Sequence, residues 1–207
     1  MKNRIYQLCP LLLAGFLAAA ALTGCNPEKA PETGAETTRE TELRAETETE
    51  ATASPENLGS FTLTDINGES FTEEMFQDYD LTLVNVFATW CSPCINEIPD
   101  LQKLSEELAD KNVRVVGIIL DAAGGSGDDA IGAVETAKMI AEKTGASYPF
   151  LIPDETNLNG RLDSINAVPE TFFVDRNGNI VGETYVGSHS LEEWKAFVEE
   201  ELSKLAE

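Results

Sequence analysis

A chain of 207 residues has room for one domain with a sizeable core, with some length left over. Its 42% hydrophobic and 25% charged residues suit a soluble globular protein and exclude a wholly disordered one. A net charge of −23 excludes a nucleic-acid binder, which must neutralise phosphates, and equally excludes a basic patch for an anionic bilayer.

Residues 1–24 have the three parts of a secretory signal: Lys2 and Arg4, an apolar run over 8–22 broken by Pro10 and Gly15, and small residues before Cys25. The run is shorter than the about 20 apolar residues of a membrane span. Leu22-Thr23-Gly24-Cys25 resembles the lipobox of bacterial lipoproteins, which implies that Cys25 carries a lipid and becomes the first mature residue. An uncleaved span and a cleaved, unlipidated signal are the competing readings. Residues 25–57 are rich in Glu, Thr and Ala, with no aromatic residue and only Leu43 as a large apolar one. Such a stretch cannot bury enough surface to offset its ordering entropy, so a solvated acidic tether is expected.

Residues 58–207 carry the patterning of one α/β domain. Asn67-Gly68 marks a hairpin turn between apolar runs at 61–65 and 70–71. Residues 81–87 (LTLVNVF) and 113–120 (VRVVGIIL) are dense enough for strands buried on both faces, with a helix between them to about residue 110. A glycine-rich acidic loop over 121–129 precedes an amphipathic helix at 130–143 that stops at Gly145. A short apolar run at 150–152 and a helical turn at 158–162 follow. Residues 170–174 and 180–186 form a hairpin about Asn177-Gly178, and 191–205 close the chain as a helix with Leu191, Trp194, Phe197 and Val198 on one face.

Of the four cysteines, Cys9 and Cys25 belong to the signal and its end, which leaves Cys91 and Cys94 in the domain. Cys91 falls where a buried strand gives way to a helix, so free N–H groups and the helix dipole favour its thiolate. Cys94 lies one turn on, close enough to form a disulfide, and Pro93 is tolerated in the first turn. Zinc lacks ligands, because His189 is the sole histidine. A purely structural bridge closing so short a loop contributes little. A peroxiredoxin-type cysteine wants a Thr three residues and a Pro seven residues earlier, where Ala88 and Val84 stand. Redox chemistry at the pair is the remaining reading, with no metal and no cofactor.

WCSPCINEIP at 90–99 resembles the WCxPCxxExP signature of the TlpA/ResA family of membrane-tethered thioredoxin-like proteins, and VPETFFVD at 168–175 resembles its second signature. The similarity spans about residues 58–207. It implies a thioredoxin fold, a mixed sheet flanked by helices, with an N-terminal hairpin and a helix-and-strand insertion near 130–152. Pro-Glu-Thr at 169–171 is also similar to the cytochrome-maturation branch of that superfamily.

The resemblance further implies that Cys91 is an exposed nucleophile, Cys94 the buried resolving thiol, and Pro169 a cis-proline. A cis bond there turns the Val168 backbone outward, where a substrate peptide pairs with it as an added strand. It gives Glu97 a proton-handling role; an ordinary solvated helix glutamate is the competing reading. Asn85 replaces the buried aspartate of thioredoxins, which leaves Glu97 as the base. Trp90 is expected to pack beside the disulfide and shield it, with core packing as the competing reading, Pro99 to kink or restart its helix, and His189 to serve as a loop or capping residue.

The expected function is a disulfide reductase on the outer face of a bacterial cytoplasmic membrane, monomeric and lipid-anchored. Its implied partners are a membrane thiol–disulfide electron transporter and clients such as apocytochrome c or methionine sulfoxide reductase. A disulfide donor for secreted proteins and a non-catalytic substrate-binding lipoprotein are the alternatives.

Overall fold

The computed structural model describes residues 56–124 and 127–206. The signal, Cys25 and the acidic segment through residue 55 lie outside them. Seven strands form one mixed sheet in the order β2-β1-β5-β4-β3-β6-β7. They are β1 (Thr62–Asp65), β2 (Ser70–Thr72), β3 (Leu81–Phe87), β4 (Val113–Ile119), β5 (Phe150–Ile152), β6 (Glu170–Asp175) and β7 (Ile180–Val186). Three helices accompany them: α1 (Ser92–Glu107), α2 (Asp128–Thr144) and α3 (Leu191–Leu205). Strand β4 runs parallel to both β3 and β5, and the remaining pairings are antiparallel. The expected α/β architecture is therefore present, with α2 and β5 as the expected helix and strand between β4 and β6.

Strand β3 lies between β4 and β6 and is buried at all seven positions. Because side chains alternate, Leu81, Leu83 and Phe87 join the apolar cluster that contains residues of all three helices, while Val84 and Val86 join the cluster on the opposite face. Asn85 has the parity of the helix side. Gly117 of β4 makes that side fit: a Cβ there would lie 2.9 Å from Phe150 and 3.1 Å from Phe87, whose rings pack edge to face 4.9 Å apart. The opposite face is closed by Leu58, Phe61, the 3-10 turn at Glu73–Phe76 and Leu158 and Leu162 instead of helices.

Helix ends follow local chemistry. Gly145, at φ +76°, caps α2, and Ser190 with Glu193 forms a capping box that starts α3. Helix α1 passes through Pro99 without a break, so the expected restart does not occur. The turn expected at 158–162 is displaced. Asn157, Leu158 and Asn159 all have positive φ, and the helical turn forms at Arg161–Ser164. Asparagine tolerates that region, and burial of Leu158 in the second cluster holds the strained residue. The hairpin loop is longer than a two-residue turn: the Asp65 carboxylate accepts from the backbone N–H groups of Asn67 and Glu69.

The chain meets the sheet two residues before the expected domain start. Ile180 N–H donates to the Glu56 carbonyl at 2.8 Å, and Leu58 N–H to the Gly178 carbonyl at 2.9 Å.

Candidate active site

Strand β3 hands over to α1 through Ala88, Thr89 and Trp90, and Cys91 becomes the N-cap of α1. The Cys94 N–H, one of the helix-end donors without an intrahelical partner, points at the Cys91 sulfur from 3.2 Å. Pro93 occupies the first turn, where its missing N–H has no cost. The two cysteines are joined as a disulfide, with their Cα atoms 5.3 Å apart.

Cys94 is fully enclosed, and Cys91 is only 5% exposed. The expectation of an exposed Cys91 is thus corrected to a narrow opening, since the Val168 carbonyl lies 3.6 Å from the Cys91 sulfur. The Val168–Pro169 bond is cis, and both residues stand across from the disulfide at the start of β6. Arg161 donates at 2.7 Å to Glu170, the residue after Pro169, in a buried ion pair.

Trp90 is 73% exposed and belongs to no core cluster, which removes the core-packing reading. The cause is the residue before it. Thr89 is fastened to Asp121 by its N–H at 3.1 Å and its hydroxyl at 2.5 Å, which leaves Trp90 on the outward side of the loop. Asp121 opens the glycine-rich segment after β4, so part of that segment supports the active-site loop.

Beneath the disulfide, Glu97 is 3% exposed, which rules out a solvated helix glutamate. Its Oε1 accepts from the His189 N–H at 2.7 Å and the Trp194 indole N–H at 2.9 Å. Its Oε2 accepts from the Asn85 amide at 3.3 Å, and the same amide donates to the Thr171 hydroxyl at 2.9 Å. Burial pushes the Glu97 carboxyl above its ordinary value of 4.5, against the three hydrogen bonds, and Asp100 adds to the rise. Burial also pushes the Tyr148 phenol well above its ordinary range, with the Glu97 charge as the second cause.

His189 lies in the connection to α3, as expected. It serves the site through its backbone, while its ring packs edge-on against Tyr185, Trp194 and Phe197. Trp194, Thr171 and Asp121 are contributors that the sequence reading misses. Trp194 carries the one usable signal, because a buried indole N–H needs an acceptor.

Residues 56–182 match the AhpC/TSA family. The thiol:disulfide interchange protein DsbE of Haemophilus influenzae is 30% identical over 67% of this chain and 68% of its own length. The thiol-disulfide oxidoreductase ResA of Oceanobacillus iheyensis is 29% identical over 47% of this chain and 45% of its own length. Among solved structures, a thioredoxin-family thiol:disulfide interchange protein from Chlorobium tepidum is 28% identical, with a TM-score of 0.56 over 73% of this chain and 99% of that one. StoA from Bacillus subtilis, at 19% identity and a TM-score of 0.53 over 70% of this chain and 99% of its own, shares the fold. A strand-to-helix disulfide, a cis-proline facing it and an enclosed carboxylate behind it thus stand on a sheet shared with these proteins. The chain belongs to the AhpC/TSA family and is a thioredoxin-fold thiol–disulfide oxidoreductase of the ResA and DsbE kind.

Proposed function

We propose that this protein reduces disulfides in client proteins outside the cytoplasmic membrane, with Cys91 as nucleophile and Cys94 as resolving thiol. The observation that carries the reading is the placement of Cys91 at the N-terminus of α1, opposite Val168 and above the enclosed Glu97. The Cys91 thiolate attacks one client sulfur, and the other leaves as a thiolate. Cys94 then attacks the Cys91 sulfur, which re-forms the internal disulfide and frees the second client thiol. Two electrons pass to the client. Glu97 accepts the Cys94 proton, and the affinity for protons that burial raises suits it to act as a base.

Trp90 and the Val168 backbone flank the opening and form the client-docking surface, with Pro169 shaping it. The Val168 carbonyl, 3.6 Å from the reacting sulfur, supports pairing with an extended client segment. The clients are apocytochrome c thiols or methionine sulfoxide reductases, and a membrane thiol–disulfide transporter returns electrons to the pair. Residues 1–24 are the signal, Cys25 the lipid anchor, and the segment from 25 through 55 the tether of a monomeric domain. These assignments rest on the sequence.

Insulin reduction and the potential of the pair test the direction. A potential near thioredoxin's, about −270 mV, supports a reductase, whereas one near about −120 mV overturns it in favour of a disulfide donor. If Cys91→Ala leaves the biological role intact, a non-catalytic lipoprotein replaces both. Intact mass after palmitate labelling tests the anchor, and an unmodified Cys25 on the mature chain removes it.

A further inference from the structure

We propose that Trp194 is a positioning residue for proton transfer at the redox pair: its indole N–H, with the His189 backbone N–H, holds Oε1 of Glu97 and leaves Oε2 as the atom that takes the Cys94 proton. The inference deepens the reading of Glu97 as the proton acceptor and rests on it.

The two carboxylate oxygens are held unequally. Oε1 receives two short donors, at 2.7 and 2.9 Å, while Oε2 receives one amide at 3.3 Å that is shared with Thr171. Strong donors lower the basicity of the oxygen they engage, so the free electron density lies on Oε2. Both Oε1 donors are of kinds that cannot exchange roles. A backbone N–H and an indole N–H donate only, so neither competes for the proton.

Trp194 is also rigid. It has no exposed surface and packs against the rings of Tyr185, His189 and Phe197 at centroid distances of 5.9, 5.0 and 5.6 Å. The Ser190–Glu193 capping box fixes the first turn of α3 immediately before it. The start of the last helix therefore forms part of the active site, although it lies 92 to 97 residues from Glu97 in sequence.

The titratable groups around this carboxylate are Asp100 from α1, Tyr148 from the segment before β5, and His189 from the β7–α3 connection, and Cys94 lies three residues before Glu97 on α1. Asn85 of β3 and Thr171 of β6 approach without charge. In the resolving step the Cys94 S–H passes its proton to Oε2. The thiolate electron pair forms the bond to the Cys91 sulfur as the Cys91–client bond breaks, and the client leaves as a thiolate that takes a proton from water.

The test is stopped-flow reaction of the reduced protein with a small aromatic disulfide across pH. The first equivalent of aromatic thiolate reports attack by Cys91, and the second reports resolution by Cys94. Trp194→Phe keeps an aromatic ring and removes the donor. The anionic carboxylate then loses a stabilising hydrogen bond, so the midpoint of the second phase moves up by about one pH unit while the first phase stays in place. Glu97→Gln abolishes that limb of the profile. If Glu97→Gln keeps the limb, the proton-acceptor reading fails. If it removes the limb but Trp194→Phe leaves the midpoint unmoved, the role of Trp194 is overturned and that of Glu97 stands. In the wild-type protein, the indole N–H resonance of Trp194, told from that of Trp90 by a Trp90→Phe variant, must titrate with the same midpoint. A resonance that does not move overturns the proposal even if Trp194→Phe fails to fold.

Discussion

The mouth and the floor of the redox site are built in opposite ways, and its two tryptophans show it. Trp90 stands in solvent beside Cys91, attached only through a loop that Thr89 and Asp121 tie down. Trp194 is sealed among aromatic rings, and its single polar atom is committed to Glu97. The mouth presents the exposed ring of Trp90 beside the Val168 carbonyl, 3.6 Å from the Cys91 sulfur. The floor is a buried polar network around Glu97, in which losing a donor leaves a carboxylate oxygen short of a partner. Recognition and proton handling are thereby assigned to separate layers of one small site, with the disulfide as the boundary.

The largest effects belong to that boundary. Cys91→Ala is expected to bring insulin reduction down to background with the fold intact by circular dichroism. Cys94→Ala is expected to trap client as a mixed disulfide visible by mass spectrometry. Next comes the contrast between the tryptophans. Trp194→Ala opens a large cavity and strips a donor from a buried carboxylate, so urea denaturation should register a loss of about 3–5 kcal/mol. Trp90→Ala should change stability by less than about 0.5 kcal/mol, yet raise the KM for a protein client about tenfold, as truncating an exposed aromatic anchor does. Equal stability losses in the two variants would erase the distinction between mouth and floor.

A third prediction concerns pH. The folded-state value of Glu97 lies above 4.5, so the stability associated with its neutral form is fully present below 4.5 and is lost as pH rises through the raised value. Urea midpoints should therefore fall for the wild type relative to Glu97→Gln across that window and run level above it; parallel curves throughout would mean that the carboxylate is not held as described. The smallest effect is expected from Asp121→Asn, which weakens two hydrogen bonds to Thr89. It should cost about 1 kcal/mol and increase the mobility of Trp90 in fluorescence anisotropy, while the alkylation rate of Cys91 keeps its pH midpoint.

What the sequence made legible was local. Strand β3, LTLVNVF, is apolar at five of its seven positions, all but Thr82 and Asn85, and its full burial follows from that density. A cysteine pair at a strand-to-helix junction is likewise visible in ten residues. The burial of Glu97 is not, because α1 by itself leaves that position open. The donors that enclose it arrive from His189 and Trp194 at the far end of the chain, and only tertiary packing brings them together. The exposure of Trp90 is hidden from the local sequence for the same reason. A tryptophan next to a core strand is usually buried, and the hydrogen bonds that keep it outside come from Asp121, 32 residues beyond Thr89. The run Asn157-Leu158-Asn159 lacks any local sign that a leucine will take a left-handed conformation, since its reason is the apolar cluster that receives it.

The clip of Glu56 onto Ile180 has a geometric consequence. Strand β6 begins at the cis-proline and ends at the turn this clip grips, so the polypeptide enters the domain at the pole farthest from Cys91 along that strand. Six residues of strand separate the two points, a span of about 20 Å. A force applied through the chain upstream of residue 56 therefore reaches the sheet at the end of β6 opposite the cis-proline.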